Sequence, residues 1–321
     1  MPMNCLEVRE LKTYFYTSSS VVRILDGISL SVGQHEIVGL VGESGCGKSV
    51  TGLSILRMVP TPGRVVGGEI LFDGRDFLSL SEREMQEVRG RGIAMIFQNP
   101  RECLNPVVTV GKQLCLVYQT HRGGSQRQAR QMALESLRGL GLPHPDKIMN
   151  SYPHELSGGM CQRVMIALAI ASQPKLLIAD EATTALDVTI QLQLLRLLAG
   201  LRVEKGLAEL VISHDLGVIA ELCDRAYVMY LGEIVESGPV GELFQHPRHP
   251  YTQGLMSARP RVGSTAVPER IPGEIAEFSE LPSGCRFHPR CPQAEARCRS
   301  HRPTTVQIAP DHQIQCVLYE A

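Results

Sequence analysis

The chain has 321 residues, 43% of them apolar, with 32 Lys and Arg against 33 Asp and Glu. That is enough for one large α/β domain with a smaller appendage, and too apolar for general disorder. The formal net charge of −1 supplies no electrostatic footprint for non-specific nucleic-acid binding, so no nucleic-acid partner is expected.

The opening MPMNCLEVRELK carries acids and no apolar stretch, unlike a signal peptide. No apolar run approaches the roughly 20 residues a helix needs to cross a bilayer. The chain is therefore expected in the cytoplasm, reaching a membrane through partners. Short branched segments at 21–25, 28–32 and 36–40, punctuated by Asp26-Gly27 and Gly33, predict an antiparallel β region at the N-terminus. Residues 37–41 form a fully apolar strand candidate, followed by glycines and then a helical pattern over 49–58. Further buried strands are predicted at 93–97, 176–179 and 210–213, with helical stretches between them. Such a pattern suits a largely parallel sheet covered on both faces.

Residues 100–173 have a different character: 126–139 is polar and amphipathic, and 160–171 is strongly helical in periodicity and alanine content. They read as a helical subdomain inserted into the sheet domain. Beyond 232–238, His246-Pro247 and His249-Pro250 lead into a glycine- and proline-punctuated tail with few periodic elements.

Gly42-Glu43-Ser44-Gly45-Cys46-Gly47-Lys48-Ser49 matches G-x-x-x-x-G-K-S, the phosphate-binding loop of nucleoside triphosphatases. Glycines let the backbone curl so that successive N–H groups cradle phosphates, and the following helix turns its positive end, at Ser49 and Val50, toward the same anions. Lys48 is expected to reach the terminal phosphates of ATP, and the Ser49 hydroxyl to ligate Mg²⁺. The apolar strand at 176–179 ends in Asp180-Glu181. Asp180 suits a water-mediated hold on Mg²⁺, and Glu181 is placed to polarise an attacking water.

The segment Leu156-Ser157-Gly158-Gly159-Met160, followed by Cys161-Gln162-Arg163, resembles the LSGGQ signature of ABC ATPases and lies shortly before the acid pair. The resemblance implies a P-loop (RecA-like) core and a head-to-tail dimer, in which the signature of one subunit closes over the ATP of the other. It implies further roles in chain order. Gln98 matches the glutamine that touches Mg²⁺ and the nucleophilic water. Ala185-Leu186-Asp187 resembles the D-loop at the dimer interface. His214 matches the histidine that contacts the γ-phosphate, and Phe15 (or Tyr14 or Tyr16) the aromatic that stacks on adenine. Two positions depart from the family pattern. Ala182 stands where proline is usual, which keeps an N–H and frees φ. Met160 stands for glutamine, as in one of two non-identical ATPases of the peptide-importer branch, the D-type subunit.

Four of the ten cysteines, Cys285, Cys291, Cys298 and Cys316, crowd into the tail. In a cytoplasmic protein such crowding suggests a metal before disulfides, and four thiolates suit either Zn²⁺ or an iron–sulfur cluster. The tail from Leu281 to Pro292 also resembles the C-terminal extension of oligopeptide and dipeptide importer ATPases, which implies a 4Fe–4S cluster. Expected domains are thus 1–257, the ATPase, and 258–321, a small metal-binding extension built on the four cysteines. The expected function is ATP-driven solute uptake at the cytoplasmic face of the inner membrane. Its partners would be a second, non-identical ATPase, two transmembrane permeases and an extracytoplasmic solute-binding protein. A peptide cargo leads, with glutathione, nickel or a metallophore as alternatives; a soluble non-transport ABC ATPase is the alternative of another class.

Overall fold

The computed structural model describes residues 4–18, 20–182, 191, 195, 197–200, 202–203, 206–258 and 270–320. By internal contacts the chain divides into two compact units, Met1–Ser79 with Val211–Ala321, and Leu80–Leu210.

In the first unit, β1 (Asn4–Tyr16) pairs antiparallel with β2 (Val21–Gly33). Then come β3 (Ile37–Val41), helix α1 (Lys48–Ile55), β4 (Gly63–Phe72) and β5 (Arg75–Asp76). One sheet runs in the order β2-β1-β4-β5. The expected break at Asp26-Gly27 is not there, because β2 is continuous through it. Pairing shifts from Leu11↔Ile28 to Lys12↔Asp26, and Gly27 takes φ 97°. The dipeptide makes a bulge rather than a turn, since glycine tolerates the left-handed backbone a bulge demands.

The second unit follows with α2 (Glu82–Val88), β6 (Ile93–Ile96), α3 (Pro100–Cys103), α4 (Val110–Arg122), α5 (Gln126–Gly139), α6 (Pro145–Asn150), α7 (Gly158–Ala171) and β7 (Leu176–Asp180). Strands β6 and β7 pair in parallel, from Ile93↔Leu176 to Ile96↔Ala179, and every residue of both is buried. Two helices start at reciprocal caps. The Ser81 hydroxyl accepts from Glu84 N while Glu84 accepts from Ser81 N, and Ser125 with Gln128 repeats the arrangement ahead of α5. Each cap satisfies amides that the first helical turn would leave without partners.

Strand β8 (Ala208–Ser213) returns the chain to the first unit. There α8 (Leu216–Leu222), β9 (Arg225–Tyr230), β10 (Glu233–Pro239), α9 (Val240–Gln245) and α10 (Pro250–Ser257) follow. Beside β9, β3 runs in parallel, from Val38↔Arg225 to Val41↔Val228. All five residues of β3 are buried, which is why its sequence is apolar without alternation. The tail is more regular than its composition suggests. A hairpin of β11 (Thr305–Ala309) and β12 (His312–Gln315) adds to β10 through Glu236↔Ile314 and Ser237↔Gln313. The tail is thus counted with the first unit. Among the described residues, no helix is long and apolar enough to cross a membrane.

Candidate functional site

The loop between β3 and α1 belongs to the first unit. A Cβ at Gly42 would lie 2.2 Å from Met229 O, so no larger residue fits there. Gly47 sits at φ 110° as the N-cap of α1. The loop is held from inside. Lys48, 4% exposed, donates from Nζ to Gly42 O at 2.9 Å and to Glu43 O at 3.0 Å. Cys46 N donates to Glu43 O, and Gly232 N to Cys46 O at 2.9 Å. Burial pushes the Cys46 thiol up and keeps it neutral beside Lys48. Ser44 and Gly45 are exposed at the tip, with Ser49 and Val50 half-buried behind them. The result is a curled backbone with its lysine folded under it, the geometry of an anion cradle. His214, also of this unit, is exposed just after β8, and Asp215 caps the next helix by accepting from Gly217 N at 2.7 Å.

The acid pair belongs to the second unit. Asp180 is buried at the end of β7. Glu181 follows at φ 46°, a left-handed conformation that costs a non-glycine residue roughly 1 kcal/mol or more. Its carboxylate accepts from Gln98 Nε2 at 2.8 Å. The structure therefore joins two residues 83 apart in sequence into one polar pair, with the carboxylate oriented by a neutral amide. In the same unit Ser157 caps α7, its hydroxyl accepting from Met160 N at 3.3 Å. Leu156 is buried, Ser157 and Gly158 are exposed, and a Cβ on Gly158 would meet nothing within 4 Å. Asp187 and its D-loop neighbours lie outside the described residues.

A profile described as "ABC transporter" matches residues 25–184, and one described as "Oligopeptide/dipeptide transporter, C-terminal region" matches 235–298. A probable peptide ABC transporter ATP-binding protein, y4tR of Sinorhizobium fredii, is 51% identical over 97% of this chain and 94% of its own. The chain belongs to the ABC transporter ATPases. The dipeptide transport ATP-binding protein DppD of Escherichia coli is 45% identical, covering 98% of this chain and 96% of its own. Among solved structures, the dimeric ATP-binding cassette MJ0796, bound to ADP and Pi after hydrolysis, superposes with a TM-score of 0.67. It is 27% identical and covers 73% of this chain and 98% of its own.

Within this ABC chain the three aromatic candidates are not equivalent. Tyr14 donates its hydroxyl to Asp26 at 2.9 Å. The Phe15 ring lies against Gly63, where a Cβ would come within 2.7 Å of it. Tyr16 is partly exposed with the Arg64 guanidinium 4.2 Å from its ring centroid.

The four tail thiols share a neighbourhood. Cys285 N donates to Cys298 O at 2.9 Å, and burial first, then the other three thiols, push Cys285 up to about 12. Burial raises Cys291 and Cys316 as well. Among the described residues, no group of three or more His, Cys, Asp or Glu is arranged to hold a metal ion. The geometry therefore does not support the expected metal centre at Cys285, Cys291, Cys298 and Cys316, as an iron–sulfur cluster or as zinc.

What does fasten the tail is a set of arginines that the sequence did not single out. Arg286, 5% exposed, donates to Asp26 at 2.7 Å and to Leu231 O, and pairs with Glu233 at 3.2 Å. Arg302 joins the same carboxylates at 3.1 and 2.6 Å. Asp26 is held below the usual carboxylate range: burial opposes this, but the Tyr14 hydroxyl and the two guanidiniums outweigh it. No local pattern announces these pairs.

Proposed function

We propose that this ATPase powers uptake of peptides, as the motor of an importer at the cytoplasmic face of the inner membrane. One observation carries the reading: the oligopeptide/dipeptide C-terminal match at 235–298 sits on a chain with near-full-length relatives named for peptide and dipeptide transport.

The loop from Gly42 to Ser49 takes the phosphates of ATP on its amides, with Lys48 leaving its carbonyl partners to meet them. Ser49 and Gln98, with Asp180 acting through water, would hold Mg²⁺, which would neutralise phosphate charge when bound with the nucleotide. Glu181, oriented by Gln98, accepts the proton of the attacking water, and His214 steadies the γ-phosphate. Phe15 supplies the apolar surface for adenine. The signature segment at 156–160, with Ser157 and Gly158 exposed, serves a nucleotide held by a second, non-identical ATPase subunit, and Asp187 lies at that interface. Two permeases form the channel, and an extracytoplasmic binding protein delivers the peptide. The tail thiols supply no step in this reading.

Reconstitution with its permeases and partner ATPase in vesicles tests the proposal. ATP-dependent accumulation of a labelled dipeptide is expected, abolished by Glu181→Gln. Accumulation of nickel or glutathione with no peptide would replace the cargo.

A further inference from the structure

The carboxylate inside the phosphate loop is gripped by the far end of the chain. Arg290 Nη1 and Nη2 donate to Glu43 Oε2 and Oε1 at 2.8 and 3.0 Å, a two-pronged pair across 247 residues of sequence. Arg290 is 6% exposed, and its Nε donates to Pro272 O at 3.0 Å. The fork is thus oriented before it meets the carboxylate.

The main chain of Glu43 is equally committed. Its N–H donates to the Tyr251 hydroxyl at 2.9 Å, and its carbonyl accepts from Lys48 Nζ and Cys46 N. Tyr251 is fully buried, and its ring centroid lies 4.7 Å from that of Tyr230 and 5.3 Å from that of Phe287. Tail residues therefore hold Glu43 by its side chain and support the tyrosine that caps its amide.

A loop that binds a polyanion needs a fixed curl, and it is hindered by a carboxylate of its own. One guanidinium answers both needs. It fixes the position of Glu43, on whose carbonyl Lys48 rests, and it cancels a negative charge in the loop that receives the phosphates. We propose that Arg290 is a positioning residue for nucleotide binding, acting on the phosphate loop through Glu43. This rests on reading 42–49 as the phosphate site. It makes the tail a working part of the ATPase rather than an appendage.

The test uses the full-length chain, titrated with a fluorescent ATP analogue and assayed for steady-state ATP hydrolysis. Arg290→Ala is expected to raise Kd and KM about tenfold, with kcat within about twofold because Glu181 and Gln98 are untouched. Arg290→Lys keeps the charge but loses the fork, and recovers part of the affinity. In a Glu43→Ala background, replacing Arg290 should cost no further affinity. Arg302→Ala, which loosens the same tail but pairs outside the loop, should leave KM unchanged. The proposal is overturned if Arg290→Ala leaves KM alone, if its loss persists without Glu43, or if Arg302→Ala matches it. Should Arg290→Ala fail to fold, Arg290→Lys carries the test: a KM rise of about threefold that vanishes in the Glu43→Ala background. A wild-type chain that binds no ATP analogue would instead overturn the phosphate-site reading itself.

Discussion

The phosphate loop and the signature segment are both glycine-bearing turns that open a helix, yet their polar groups are spent differently. In the loop, Lys48 is buried and bonded to two carbonyls, Glu43 is held by Arg290 and Tyr251, and Gly42 has no room for a side chain. In the signature, Ser157 bonds only within its own helix in the contacts described, its hydroxyl accepting from Met160 N and its carbonyl from Cys161 N, and a Cβ on Gly158 would meet nothing within 4 Å. The first is shaped by its own chain before any ligand arrives. The second presents free surface, as a group meant to meet something from outside does. Preorganisation of one and openness of the other are what a site shared between two subunits calls for.

Four substitutions or conditions sharpen or break this contrast. The largest effect is expected from Glu181→Gln, which leaves the loop intact and removes the base. Hydrolysis should fall about 10²–10⁴-fold while ATP binding persists and a closed dimer accumulates in size-exclusion chromatography. Turnover within tenfold of wild type would remove Glu181 from its role. Lys48→Ala attacks the preorganised side itself. Nucleotide affinity measured by titration should drop on the order of 100-fold, in the isolated chain as well as the assembled pair.

Ser157→Ala attacks the open side, and its expected signature is different. ATP binding by the isolated chain should be unchanged, while turnover of the assembled pair falls about tenfold. Loss of the cap lowers thermal stability by about 1 kcal/mol. Equal losses of binding in the isolated chain would erase the distinction drawn above.

The fourth test concerns acid. His249 is fully buried, its Nδ1 accepts from Tyr251 N at 3.0 Å, and burial pushes its pKa down from 6.5 to about 3. The unfolded chain therefore binds this proton where the folded chain does not. Stability associated with neutral His249 is complete above pH 6.5 and falls by up to about 1.4 kcal/mol per pH unit on the way down to pH 3. Chemical denaturation at stepped pH should show this slope, and His249→Gln should flatten it. Because Tyr251 also holds Glu43, acid should loosen the loop and leave the cap at Ser157 intact.

What could be read from the sequence is what depends on neighbours in the chain. The apolar run 37–41 and the glycines after it specify a strand, a loop and a helix within 20 residues, and the structure has them at Ile37–Val41 and Lys48–Ile55. Similarly, 176–179 reads as a buried strand because β7 is covered on both faces. Asp26-Gly27 misled, since a bulge and a turn use the same residues for the same φ, and only the partner strand tells them apart. The tail hairpin was missed because β11 alternates half-buried and exposed residues too weakly to show a period. Arg290 and Glu43 carry no mutual signal at all: each is an ordinary charged residue until folding joins them. The four tail cysteines did carry a signal: they share a neighbourhood in the fold, though among the described residues no group of three or more His, Cys, Asp or Glu is arranged to hold a metal ion.

The long reach of Arg286 and Arg290 also sets an order of events during synthesis. Asp26 and Glu43 leave the ribosome early, yet their counter-charges lie 260 and 247 residues downstream. At typical elongation of about 5–20 residues per second, that interval lasts roughly 12–50 s. Throughout it the nascent chain lacks the two guanidiniums that meet these acids in the folded structure, and the phosphate loop gains its clasp on Glu43 only after Arg290 emerges.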